Sequence, residues 1–166
     1  MLVKPEQSTK LFRYIAIALL ATAGAGLAFI KTSPWSGPRA RIQMDLDRGC
    51  DLRAGPCTSA LQDGRAIRFS IEPRSIPPLV PLQLRVDAIG FAAQAVTVDL
   101  NGVGMPMGLN RVFLSQVPDG HFAASGSLSV CIRDAMEWEA LVTVVSDDVE
   151  IAAPFRFITV KNGVLP

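Results

Sequence analysis

The stretch from Leu100 to Arg111, LNGVGMPMGLNR, holds the residues best suited to chemistry in this 166-residue chain. Met105-Pro106-Met107 sets two thioethers two residues apart, so an extended backbone projects both to one side. Thioethers are soft, uncharged donors that favour Cu(I) over Zn(II) or Mg(II), and they remain ligands where thiolates are lost to disulfides. Further soft or borderline donors are Cys131, Met136, Met44 and the single histidine, His121. The candidate metal set is therefore Met105, Met107, Cys131, Met136 and His121. The competing reading is packing: methionines fill irregular gaps, and Gly102, Gly104 and Gly108 suit a tight corner as well as a ligand cradle. His121 follows Asp119-Gly120, where a turn histidine is ordinarily just exposed. Arg111 is then a solvated charge or a donor to the loop carbonyls.

Three cysteines allow three pairings, each leaving one thiol over. Cys50–Cys57 is the favoured pair, because Gly55-Pro56 turns the short loop CDLRAGPC back on itself. The alternative joins Cys50 or Cys57 to Cys131 and staples the segment before residue 65 to the strands after it. A structural zinc site wants four ligands, and with His121 as the chain's one histidine none is expected here. A thiol–disulfide function for Cys50 and Cys57 would need a depressed thiol pKa, with only Arg48 and Arg53 nearby to supply it.

Acid–base catalysis has thin material: one histidine, no G-x-S-x-G, no H-E-x-x-H and no phosphate-cradling glycine loop. Asp87, Asp99, Glu137 and Glu139 fall on strand positions that alternate with apolar residues, as an outer polar face requires. The sequence reads as non-enzymatic. A formal net charge of +1 provides no field for nucleic acid.

The elements that must position these groups are strands. Ile67, Phe69 and Ile71 alternate with Arg68, Ser70 and Glu72; Leu82, Leu84 and Val86 with Gln83, Arg85 and Asp87; Val96, Val98 and Leu100 with Thr97 and Asp99; Trp138, Ala140, Val142 and Val144 with polar neighbours. Weaker strands are predicted over 111–116, 121–125, 127–133 and 155–160, with turns at Pro77-Pro78, Asn101-Gly102, Pro118-Asp119-Gly120 and Ser146-Asp147-Asp148. About eight short strands without a helical period predict an all-β, immunoglobulin-like antiparallel β-sandwich over 65–166, a closed barrel being the lesser alternative. Trp138 is the expected centre of the core.

Much of the excess in the 49% apolar fraction sits in one block near the start. Tyr14 to Ile30 carries no charge, and at 1.5 Å per residue spans about 26 Å, the short end of a bilayer's hydrocarbon core. It is predicted to be a retained transmembrane helix; Ala21-Thr22-Ala23 and Ala23-Gly24-Ala25 supply the alternative of a cleaved signal. The implied organisation is a cytoplasmic tail over 1–13, a membrane helix over 14–30, a linker and cysteine-containing irregular segment over 31–64, and the sandwich over 65–166. Positive charge flanks the helix almost evenly. The orientation expected is single-pass in the inner membrane with the C-terminal domain in the periplasm, where its cysteines suit an oxidising compartment. Trp35, in the linker, fits either the headgroup level or the domain surface.

The run G-x-x-M-x-M-G-x-N-R at 102–111, then D-G-H-F at 119–122 and a strand leading to Trp138, resembles the small membrane-tethered periplasmic proteins of the YtkA/FixH-like kind over roughly 78–145. That resemblance implies an immunoglobulin-like sandwich concerned with copper handling or cytochrome oxidase assembly. The chain departs from histidine-rich copper carriers in having only His121. Two functions follow as expectations. One is a membrane-anchored periplasmic protein holding Cu(I) for a respiratory oxidase or its assembly factors. The other is a metal-free accessory subunit docked on a membrane complex.

Overall fold

A computed structural model of the chain describes residues 39–105, 108–129 and 135–160. Every regular element among them is a strand: β1 (Ala40–Gln43), β2 (Cys57–Ala60), β3 (Ala66–Glu72), β4 (Leu82–Ile89), β5 (Ala95–Gly102), β6 (Arg111–Gln116), β7 (Phe122–Gly126), β8 (Ala135–Val145) and β9 (Val149–Val160). They make one sheet in the order β1-β9-β8-β5-β6-β7-β4-β3-β2. No helix of the described residues is long and apolar enough to cross a membrane, and the expected span over 14–30 lies outside them.

The alternating segments form strands for the reason their period suggested. Along β8, Met136, Trp138, Ala140, Val142 and Val144 are buried while the residues between them are not. Ile67, Phe69 and Ile71 of β3 do the same. The sheet curls because β6 serves two neighbours. Its first residues pair with β5 (Asp99 opposite Arg111, Val96 opposite Leu114), and its last with β7 (Ser115 opposite Ala123, Gln116 opposite Phe122). The two wings thus fold face to face, and Phe69 on β3 meets Phe155 on β9 with ring centroids 5.4 Å apart. Between them Trp138 is 1% exposed, and its Nε1 donates to Thr159 Oγ1 at 2.9 Å, so the indole buries its area without stranding its N–H.

Four features differ from the sequence expectation. The layers are one curled, open sheet, and its β1–β9 edge pair is parallel. The segment 31–64, read as linker and irregular, contributes β1 and β2, each too short for a period to register. Of the strand expected over 127–133, residues 127–129 lie in no strand and the rest lie outside the described residues. β9 begins earlier than residue 155 because Ala152, Ala153 and Pro154 are all buried, which hides the alternation. Pro154 lacks an N–H, and it falls past Ala152, the last residue of β9 paired with β1, where a missing donor is tolerated.

The open edges β1 and β2 are not hydrogen-bonded to each other; residues 44–56 cross between them. Met44 (5% exposed) and Leu52 (1% exposed) insert into the core from this crossing. Cys50 and Cys57 are joined as a disulfide, Cα–Cα 5.8 Å, which ties the crossing to the first residue of β2. Side chains of Asp47 and Asp51 each accept from the backbone N–H two residues on, Gly49 and Arg53, and fix the turns on either side of Cys50.

Candidate functional site

The hairpin connections sort to the two ends of the sheet. At one end lie the β3–β4 connection (73–81), the β5–β6 connection (103–110) and the start of β8. At the other lie the β4–β5, β6–β7 and β8–β9 turns and the beginning of β1, where Ala40 N donates to Asp148 O.

Met105 belongs to the first end. It follows β5 in a tight turn with Met105 N donating to Gly102 O at 3.3 Å, and Gly104 adopts φ 74°, a conformation open to glycine. The side chain is half-buried against the core. Met136, on β8, points inward and is 6% exposed. The two stand at the same end of the β5–β8 ladder: Gly102 is opposite Trp138, and Val103 N donates to Glu137 O at 2.9 Å. Met105 lies two residues beyond that bond and Met136 one residue before it. Met107 and Cys131 lie outside the described residues; their described neighbours, Gly108 in the one case and Ser129 and Ala135 in the other, bracket them.

His121 is at the opposite end, in the β6–β7 turn. From the level of Gly102 to that of Gln116 is roughly eight strand residues, or about 25 Å at 3.3 Å each. Its side chain is only 13% exposed, unlike the open turn residue its sequence suggested, and Nδ1 lies 2.8 Å from Asp119 Oδ1. That nitrogen makes no aligned hydrogen bond, so the pair is a close approach and not a directed N–H bond. Arg85 reaches toward the same Asp119 at 4.0 Å and pairs with Asp87 at 3.1 Å. The fifth soft donor, Met44, is in the core at the crossing. Among the described residues no three histidine, cysteine or carboxylate side chains converge.

A polar cluster that alternation concealed sits on the outer face of β5. Asp99 reads as a solvent-facing carboxylate, yet it is 8% exposed. Arg111 donates to its Oδ2 at 3.0 Å and Asn101 to its Oδ1 at 2.8 Å, so the charge is paired and hydrogen-bonded where it is buried. Arg111, opposite Asp99 on β6, thereby clamps the base of the methionine-bearing connection. The sequence signal was the cross-strand register, which a single strand's pattern cannot reveal. On β8 and β9, Arg156 lies 3.6 Å from Glu137 and 3.0 Å from Glu139 and joins them similarly.

Apolar side chains stand exposed at the Met105 end: Leu109 at 77%, Leu79 at 67% and Val80 at 42%. Leu79 has φ 62° and Ile76, wholly buried, has φ 45°, left-handed conformations that non-glycine residues adopt only under constraint. Buried Ile76 anchors the proline-rich connection from which Leu79 projects.

No family model matches the chain, and neither the curated proteins nor the solved structures include a match to it.

Proposed function

We propose that the chain is a membrane-anchored, non-catalytic periplasmic protein that carries Cu(I) on thioethers at one end of an immunoglobulin-like domain. It passes the ion to a membrane-bound partner, a respiratory oxidase or its assembly factors. The observation that supports this reading is that Met105 and Met136 flank, in sequence, the hydrogen-bonded pair Val103 and Glu137 at one end of the sheet. These are soft, neutral donors, Met136 buried on β8 and Met105 half-buried in the connection after β5, and such donors favour Cu(I) over hard cations. Met107 and Cys131, within two residues of described positions in the adjoining connections, are the further donors assigned to the ion. His121 is not, because the sheet separates it from Met105. The Cys50–Cys57 disulfide agrees with an oxidising compartment and with the 14–30 segment as the anchor.

The test is a Cu(I) competition titration of the full chain in detergent. Met105→Leu with Met136→Leu keeps volume and apolarity while removing both thioethers. One-to-one binding in the parent chain, weakened at least tenfold in the double variant and unchanged in His121→Ala, is the expected result. Absence of binding, or equal binding in the double variant, removes the proposal.

A second reading is favoured by Leu79, Val80 and Leu109. As a metal-free accessory subunit, the domain would press this apolar end against a membrane complex, since exposed apolar clusters commonly mark contact surfaces. Crosslinking from Leu109 to a membrane-complex subunit, in a chain that binds no copper, distinguishes the two.

A further inference from the structure

The crossing between β1 and β2 does more than cover an open seam, because it forms one wall of a cleft of about 490 Å³ against β8 and β9. Arg48, Arg53 and Leu46 line it from the crossing; Glu137, Arg156 and Phe157 line it from the sheet. Arg156 is committed, held by Glu137 and Glu139. Arg48 and Arg53 have no ion-pair partner among the described residues, and Arg53 Nη1 is sealed from solvent without an acceptor. Nη1, having no exposed surface, is out of a ligand's reach, so the pairing open to a ligand is through the remaining N–H groups of the two guanidiniums that line the cleft without an ion-pair partner. Asp47 and Asp51 do not supply that pairing. Both carboxylates line the cleft as well, yet neither forms an ion pair with Arg48 or Arg53, and each Oδ1 accepts a backbone N–H, Gly49 for one and Arg53 for the other. The disulfide and these turns hold both arginines on a fixed loop, so little ordering remains to be done when a ligand arrives.

We infer that this cleft binds a small organic anion, whose carboxylate or phosphate head is held by Arg48 and Arg53 and whose apolar body lies along Leu46, Phe157 and Ile158. The guanidinium fork matches either head by paired N–H donation. The wall distinguishes an organic anion from a bare one: Ile158 is 43% exposed beside the cleft, an apolar surface that free phosphate would leave uncovered. The volume lies within the range of small-molecule sites. The site is independent of copper and involves none of the sulfur donors assigned to it.

The experiment is titration of the metal-free full chain in detergent, followed by amide NMR shifts, with four probes: hexanoate, hexyl phosphate, acetate and inorganic phosphate. A hexyl-bearing probe is expected to saturate the site at or below about 1 mM. It should bind at least tenfold more tightly than its bare counterpart and shift amides of residues 46–53 and 156–158. Arg48→Met with Arg53→Met, which keeps the aliphatic stems, should lower that affinity at least tenfold; Arg68→Met, on the exposed side of β3, should leave it unchanged. Hexanoate against hexyl phosphate identifies the preferred head. Equal binding of hexyl and bare probes, equal binding by the double variant with an unchanged amide spectrum elsewhere, or no saturation by about 10 mM overturns the inference. Should the double variant fold poorly, Arg53→Lys decides: it retains charge and loses the fork, and undiminished affinity there also overturns it.

Discussion

Leu52 and the Cys50–Cys57 disulfide act on one feature, the segment that bridges the two unpaired edges of the curled sheet, and their removal should be measurable separately and together. Replacing both cysteines by alanine opens a ring whose ends are 7 residues apart. In the chain-entropy description that releases about 2.5 kcal/mol of constraint on the unfolded chain. Alanine is chosen because Cys57 is 2% exposed and a serine hydroxyl there would add a burial penalty of its own. Leu52→Ala removes a side chain that is 1% exposed and wedged among core residues, a loss of about 3 kcal/mol including the cavity left behind. Urea unfolding of the full chain, followed by far-ultraviolet circular dichroism, reads both. At roughly 1.5 kcal/mol per molar urea, the cysteine variant should lose about 1.7 M in midpoint and Leu52→Ala about 2 M. If the disulfide acts only on the unfolded chain, the losses add to about 5.5 kcal/mol, a large part of a small domain's stability. If it also holds Leu52 in place, Leu52→Ala is milder without the disulfide than with it. A Leu52→Ala loss below about 1 kcal/mol in the disulfide-bonded chain would refute the claim that this crossing is part of the core.

Trp138→Phe should destabilise by about 2 to 3 kcal/mol, because it strands the buried Thr159 hydroxyl and leaves a void, and Trp138→Phe with Thr159→Val should recover part of that loss in the same unfolding assay. Arg111→Met deprives the buried Asp99 carboxylate of its cation; with Arg111 46% exposed, solvent screening holds the expected loss to about 1 to 2 kcal/mol, measured by chemical denaturation. Leu79→Asn should raise stability by about 0.5 to 1 kcal/mol, read as a higher denaturation midpoint, since asparagine tolerates the left-handed φ of 62° and an exposed leucine contributes little there; a lower midpoint would show that Leu79 packs in solution. The hydrogen bond from the Arg65 side chain, then that from its backbone N–H, holds the Asp63 carboxyl below its ordinary pKa. A depressed folded pKa means that the contribution is present above the unfolded pKa and is lost as pH falls through the folded one, so the pair weakens only in acid. Carboxyl NMR titration should find Asp63 among the last carboxylates to protonate, with its midpoint rising in Arg65→Met.

Much of the fold was legible before any coordinates. The alternation of Ile67-Phe69-Ile71, Leu82-Leu84-Val86, Val96-Val98-Leu100 and Trp138-Ala140-Val142-Val144 marks strands because a pleated chain turns successive side chains to opposite faces, a local property of backbone geometry. The Cys50–Cys57 pairing was favoured for a similarly local reason, a short loop carrying its own turn. β1 and β2 escaped notice because four residues do not establish a period, and their strand character depends on the β9 and β3 edges beside them. Asp99 escaped because its neighbours along β5 mark its face as outward, while its burial arises from Arg111 across the ladder.

The candidate site divides in the same way. The sequence by itself determined which atoms are available: thioether sulfurs at 105 and 136, an imidazole at 121, guanidiniums at 48 and 53, and strands to carry or frame them. Which of these can meet was settled only by the order in which the strands pair. β5 and β8 are neighbours in opposite directions, so the connection that bears Met105 and the start of β8 that bears Met136 lie at the same end of the sheet. β6 runs away from that end before it turns, so His121 is carried the length of the sheet from both. Side-chain chemistry is written residue by residue, but proximity is a property of chain pairings between distant residues, and those are selected by the packing of the whole core.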